Sequence, residues 1–382
     1  MYNIMGKGPG PQIYERIYVA NEQRSAQNLD TTVTFYDPDT HTPTTTLTRF
    51  NGEPLADNNA PRPIAAYSGY VYVGDFFGNK VDIYKADGVD NSEPVAQFTS
   101  GLFNPEKIVG YEGHIYVLDG VNNQINIFKA YNGSGSSPTK VETYSFQTVD
   151  VQGEGETDVA QSYDMIAYAN YIYVSVSLAR DDPYGFDGAI ITFNKYTAEG
   201  TTDYINGVVW FPTTNLAVYN NKLYGVTNDG VVDIFNIDTV NDGQLTYFTT
   251  HYFPTDVMAF NIVLYKEYAY VYVFNTNSSF GQYGFMIYNE SFTTEIAEIP
   301  VGQGMLGYPI GIIAYDDHIY AVTLPDTQTV KQQVAVMNAY NPGEEPEIVF
   351  WETDTLPSFL AAYNSDHPQG NLYIDQTGSN VV

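Results

Sequence analysis

The stretch His114-Ile115-Tyr116-Val117-Leu118-Asp119-Gly120-Val121-Asn122-Asn123-Gln124-Ile125-Asn126-Ile127-Phe128 decides the fold. Ile115, Tyr116 and Val117 are β-branched or aromatic, types that suit a pleated, half-buried surface. Asp119, Gly120, Asn122 and Asn123 then form a turn, because Gly takes positive φ freely and Asn and Asp tolerate it. Ile125, Ile127 and Phe128 follow as a second strand with Asn126 between the isoleucines. The stretch is an antiparallel hairpin.

The hairpin is one copy of a repeat. Its Ile-Tyr-Val element recurs at Ile17, Val71, Ile172, Leu223, Tyr270, Ile319 and Leu372. The copies lie roughly 45 to 55 residues apart, the spacing of propeller blades. A shorter apolar element precedes most copies, as in Ile64-Ala65-Ala66-Tyr67, Ile108-Val109-Gly110-Tyr111, Leu216-Ala217-Val218-Tyr219 and Ile262-Val263-Leu264-Tyr265. Its terminal Tyr stands five positions before the Tyr of the next strand. Apolar on both faces, it reads as a buried inner strand. Pro63, Pro105, Pro212, Pro254, Pro309 and Pro357 lead into these strands, where a missing N–H donor is tolerated.

Third strands (such as Val81–Tyr84 and Val231–Phe235) and fourth strands (such as Val141–Phe146 and Leu245–Thr250) complete four-stranded meanders. Phe359–Tyr363 is a last inner strand with no third or fourth strand behind it. Lending it to the first repeat would close the ring and remove two free sheet edges. The expectation is one all-β domain over residues 1–382: a seven-bladed β-propeller of four-stranded antiparallel blades closed by its terminal strands. Residues 1–15 form an arm and 371–382 an extra strand or tail; eight blades is the alternative. Helical repeats are excluded by the density of Gly and Pro and the lack of apolar spacing at three and four residues.

Tyr70-Val71-Tyr72-Val73-Gly74-Asp75 running through Asn79-Lys80-Val81-Asp82-Ile83-Tyr84, together with the opening stretch, resembles the NHL and YVTN-type propeller repeats. That resemblance implies the architecture and leaves activity open, since such repeats occur in binding platforms, cell-surface proteins and a minority of enzymes.

Charge narrows the partners. Fifteen Lys and Arg stand against 45 Asp and Glu, a net charge of −30, which repels nucleic acid and anionic membrane surfaces. No stretch approaches the length of a membrane helix, and the opening ten residues lack a basic region followed by an apolar run, so no signal peptide is expected. Cysteine is absent, which excludes disulfides, thiol catalysis and Cys-ligated zinc. Tyr is abundant at 35 residues, and aromatics serve both β cores and contact surfaces.

Candidate sites fall where repeats differ. The loop around Arg180-Asp181-Asp182-Pro183-Tyr184-Gly185-Phe186-Asp187 joins a second strand to a third. Asp181, Asp182 and Asp187 could hold Ca²⁺, which favours several oxygens on a flexible loop, or could pair with Arg180. Phe76, Phe77, Tyr184, Phe186, Phe280 and Tyr283 lie in loops of this type on one propeller face, either as a contact surface with Arg180 or folded back over the blades. Gly153-Glu154-Gly155-Glu156-Thr157 reads as a flexible acidic loop. His114 and His318 occupy equivalent strand starts, and His41, His251 and His367 show no metal-ligand spacing.

Inner strands of Ala, Ile, Val, Gly and Tyr leave a central funnel thinly supplied with chemistry. The leading expectation is therefore a non-enzymatic propeller without a cofactor, binding protein or glycan on a virus particle or cell surface, with a large assembly or homo-oligomer as its setting. The alternative is a propeller enzyme of lyase, lactonase or quinoprotein type working in the funnel.

Overall fold

The computed structural model describes residues 15–22, 32–37, 40, 43–47, 61–75, 78–88, 93–135, 137–151, 155–179, 187–196, 204–209, 213–227, 230–238, 243–275, 282–300, 309–323, 332–341, 348–353 and 356–364. The chain starts with β1 (Glu15–Glu22), β2 (Thr32–Tyr36) and β3 (Pro43–Leu47). A complete meander follows in β4 (Pro61–Tyr67), β5 (Tyr70–Asp75), β6 (Lys80–Lys85) and β7 (Ala96–Phe98). The next comprises β8 (Pro105–Tyr111), β9 (His114–Asp119), β10 (Gln124–Lys129) and β11 (Lys140–Ser145). Then come β12 (Thr148–Val151), β13 (Gly155–Tyr168), β14 (Tyr171–Leu178), β15 (Asp187–Asn194) and β16 (Tyr204–Val209).

The second half is more regular. It runs through β17 (Thr213–Tyr219), β18 (Lys222–Thr227), β19 (Val232–Ile237) and β20 (Leu245–His251). Next are β21 (Val257–Tyr265), β22 (Tyr268–Asn275), β23 (Gln282–Asn289) and β24 (Glu295–Pro300). It ends with β25 (Pro309–Tyr315), β26 (His318–Thr323), β27 (Gln332–Asn338), β28 (Ile348–Thr353) and β29 (Leu356–Asn364).

The expected uniform set of seven four-stranded blades, and the eight-bladed alternative, are corrected by the sheet topology. Among the described residues six sheets are four-stranded, and the sheet of β12 to β16 has five strands. Its fifth strand arises where the sequence suggested an acidic loop. Gly155, Glu156 and Thr157 open the long strand β13, and they pair with Val151, Asp150 and Val149 of β12 before the rest of β13 pairs with β14. Buried Val149 and Val159 give this hairpin an apolar face, which the glycines at 153 and 155 obscured in the sequence.

One sheet joins chain ends: β29 pairs antiparallel with β1, with Ile17 opposite Ala362 and Tyr18 opposite Ala361. The inner strands β4, β8, β13, β17, β21, β25 and β29 each touch the next, and β29 touches β4, around a central channel. The arm before Glu15 and the segment 371–382 lie outside the described residues.

The core lies between neighbouring sheets. Tyr116, Leu118, Ile125 and Ile127 of one sheet pack on Met165, Ile172, Val174 and Ile191 of the next. Tyr224, Val226 and Ile234 meet Ile262, Val271 and Met286 in the same way.

Two sets of tyrosines tie many of the sheets to their successors. The Tyr that ends an inner strand reaches the first turn of the next sheet. Gly113 N–H donates to Tyr67 Oη at 2.6 Å, Asn170 N–H to Tyr111 Oη at 3.2 Å, and Asp317 N–H to Tyr265 Oη at 3.2 Å. The Tyr of the Ile-Tyr-Val element makes the second set: Tyr131, Tyr196 and Tyr340 N–H groups donate to the hydroxyls of Tyr72, Tyr116 and Tyr270 at 3.0, 3.1 and 2.7 Å. Tyr18 and Tyr224 instead donate to the Ala86 and Glu290 carbonyls. Each ring fills the core while its hydroxyl satisfies a backbone group that would otherwise be orphaned. Much of the tyrosine excess is thus architectural.

Gly110 shows how closely these rings fit. A Cβ there would lie 2.4 Å from the Tyr67 ring, so the neighbouring sheet's tyrosine occupies the space that Ala66 and Ala167 fill in sister strands.

Candidate functional site

Every inner strand is bulged near its start. The register shifts between Pro105 and Lys107, Ser162 and Asp164, Thr213 and Asn215, Ala259 and Asn261, and Pro309 and Gly311. A bulge leaves one residue unpaired and re-aims its neighbours. The position just after it, four before the terminal Tyr, is polar on four successive inner strands: Lys107, Asp164, Asn215 and Asn261.

Three of these form a connected array. Lys107 Nζ lies 2.6 Å from Asp164 Oδ1. Asp164 Oδ2 accepts the Leu216 N–H at 2.8 Å and Asn215 Nδ2 at 3.2 Å, and Oδ1 accepts the Met165 N–H at 2.9 Å. Asn215 Oδ1 in turn accepts the Ile262 N–H at 2.9 Å. The Asp164 N–H donates to Ser175 Oγ at 3.0 Å. A polar line therefore crosses β8, β13, β17 and β21 at one level of the channel wall.

The burial of its members differs in a way that assigns roles. The Asp164 side chain is 5% exposed and its oxygens are fully engaged, whereas the Lys107 side chain is 35% exposed. Asp164 holds the array together and fixes Lys107. The Lys107 ammonium has three N–H bonds, so it can polarise or bind an oxygen of a molecule in the channel. The expectation of a funnel thinly supplied with chemistry is corrected by this array. Its signal was present as a polar residue at constant distance from the terminal Tyr on four successive inner strands, but the apolar residues that follow it masked it.

The repeat's own polar residues are structural. Asp119 accepts from Asn122 N–H, Asn122 Nδ2, Gln124 Nε2 and Phe103 N–H, and Asp75 Oδ1 accepts the Gly78 N–H at 2.6 Å. Asn79 Oδ1 receives the Asn104 N–H and Asn123 Nδ2 donates to the Val159 carbonyl, both in the following sheet. Asp82, Asn126 and Asp233 take one position in three third strands and bond Gln97, Thr143 and Thr250 of the fourth strands. Burial pushes the Asp82 carboxyl above its ordinary range, against the opposing pull of Lys80.

His114 and His318 do open strands, and each ring Nδ1 meets the carbonyl two residues back, at Glu112 and Asp316. His251 ends β20 inside a nest of Phe253, Tyr288 and Phe292, with centroids at 4.7, 4.7 and 5.0 Å. His41 and His367 lie outside the described residues.

Of the loop-face candidates, Tyr283 is buried at 7% exposure among Phe260, Tyr272 and Phe274. It belongs to the core of its sheet. Phe76, Phe77, Arg180, Tyr184, Phe186 and Phe280, and the calcium candidates Asp181 and Asp182, lie outside the described residues. Asp187 opens β15 opposite Leu178. No group of three or more His, Cys, Asp or Glu that could hold a metal occurs among the described residues.

Fold and array together define an all-β propeller of antiparallel blades with a polar station on its channel wall. No family model and no curated protein matches the sequence. Solved structures match throughout the chain. A protein from Lactobacillus plantarum is 12% identical, with a TM-score of 0.64 over 92% of this chain and 100% of that one. A candidate 6-phosphogluconolactonase from Bacteroides fragilis is 14% identical, with a TM-score of 0.60 over 93% and 100%. The periplasmic gluconolactonase of Pseudomonas aeruginosa is 12% identical, with a TM-score of 0.59 over 92% and 99%. At such identities the likeness is one of fold. The expectation of a non-enzymatic binding propeller on a virus particle or cell surface is corrected on two counts: the channel wall carries a polar array, and propellers of this shape include proteins described as lactonases.

Proposed function

We propose that this chain is a propeller enzyme that hydrolyses a small sugar-derived lactone in its central channel. The observation that carries this reading is the Lys107–Asp164–Asn215 array, which joins successive inner strands and leaves a fixed, part-exposed ammonium on the channel wall. In lactone hydrolysis water adds to the carbonyl carbon, the ring C–O bond breaks, and the proton released by water ends on the departing hydroxyl. Lys107 would stabilise negative charge building on the carbonyl oxygen, as fixed donors do in acyl transfer. Asp164 acts through Lys107 as a positioning residue. The lactonase descriptions of two propellers of like fold support this substrate class, and the periplasmic description of one supports an extracellular setting.

The test is proton release by the purified protein with glucono-δ-lactone and its 6-phospho form. Hydrolysis above the spontaneous rate is expected, with Lys107→Met slower by about 100-fold, the scale for losing one such donor. A wild-type rate equal to the spontaneous one on both lactones would sink the reading.

A further inference from the structure

Among the described residues the outer strand of each sheet is hydrogen-bonded on one side, and natural sheets blunt such edges with charge, proline or short length. Here β3 starts with Pro43, β7 has three residues, β11 carries Lys140 and Glu142, β24 carries Glu295, Glu298 and Pro300, and β28 carries Glu352. β16 has no charge but touches β12 of its own sheet and, over a shorter length, β20 of the next. The strand β20 stands apart: from Leu245 to Thr255 the chain has no Asp, Glu, Lys or Arg.

The same stretch is where apolar surface gathers. Among the described residues six large apolar or aromatic side chains are exposed, and three of them, Tyr247, Phe248 and Tyr252, lie in or next to β20. Tyr252 is 73% exposed and Tyr247 55%. A bulge between Tyr247 and Thr249 makes Phe248 the extra residue of the ladder, and the Lys222 ammonium lies over its ring at 5.3 Å.

We propose that β20 is a self-association edge, where a second copy of this chain adds its own β20 antiparallel across a two-fold axis near Thr249. An edge strand offers unpaired N–H and C=O groups, and another strand satisfies them. Charge selects the occupant. A basic partner is drawn to the carboxylate-rich surface, away from this strip. Two copies at −30 each repel, least where carboxylates are missing, and this carboxylate-free strip, with the Lys222 ammonium over Phe248, matches itself as an isologous contact requires.

Because the chain has no cysteine, one introduced thiol reports the contact. Thr249→Cys is expected to cross-link to itself under mild oxidation, while Glu142→Cys on the guarded edge of β11 stays uncross-linked. Sedimentation velocity is expected to give twice the 42.6 kDa chain mass for wild type. The surface variant Tyr247→Lys with Tyr252→Lys, its fold checked by circular dichroism, should sediment as a single chain. A wild type that stays single at micromolar concentration overturns the proposal, and so does equal cross-linking at the two cysteines. A monomer that instead retains oligosaccharides through Tyr252 would also overturn it, marking a sugar surface.

Discussion

At the scale of single residues, tyrosine is the joint of this molecule. Tyr116 is fully buried and its hydroxyl accepts the Tyr196 N–H of the following sheet. Burial raises the hydroxyl's pKa well above the tyrosine range, so it remains a neutral hydroxyl at any ordinary pH. Tyr116→Phe keeps the ring but orphans that N–H. The expected loss is about 0.5–1.5 kcal/mol, the net worth of a hydrogen bond whose donor is part-buried, read from the urea midpoint with unchanged slope. These joints were only half legible. The five-residue spacing of paired tyrosines is plain in the sequence, but a hydroxyl that reaches across to another repeat leaves no mark in its own repeat's pattern. Lys107 and Asp164 escaped for a related reason. Each stands among other polar residues of its strand, Lys107 beside Glu106 and Asp164 near Gln161 and Ser162, and only the ring places them 2.6 Å apart.

At the scale of elements, strands were readable where alternation or turn chemistry marked them. Hairpins such as β9–β10 follow from Ile-Tyr-Val and Asp-Gly-Val-Asn-Asn. The pairing of β12 with the start of β13 was not readable, because glycines in that segment favour a loop by local propensity and the hairpin's partner surfaces decide otherwise. The end of β20 supplies a pH test. Burial among Phe253, Tyr288 and Phe292 lowers the His251 pKa below its ordinary 6.5. With the folded value depressed, the neutral form is favoured, so this contribution to stability is complete above pH 6.5 and is lost as pH falls through the folded value. His114, part-buried beside Tyr196, is shifted the same way, again by burial first. Thermal melts from pH 7.5 down to about 5 should therefore show a falling midpoint, with a shallower fall in His251→Phe. An equal fall in both proteins would remove His251 from the account.

At the scale of the whole molecule, closure is the feature on which the rest depends. β29 supplies the inner strand that β1 to β3 lack, and it also touches β25 and β4 on either side. A chain ending at residue 355 would leave β1 with a bare edge and two neighbouring sheets without a contact. Such a chain is expected to lose the single sharp calorimetric transition and to aggregate at its new edge. A sharp transition at the wild-type temperature would show that the ring holds without its clasp.

The register of that clasp also fixes how the ring meets mechanical load. Glu15 is paired directly with Asn364, so the start of β1 and the end of β29 lie at the same end of one antiparallel pair. A pull applied to the two chain ends would load the hydrogen bonds one pair at a time and peel the strands apart like a zipper, whereas a shearing load would have to break them together. This pair is therefore weaker against traction on Glu15 and Asn364 than against a load that slides β1 past β29.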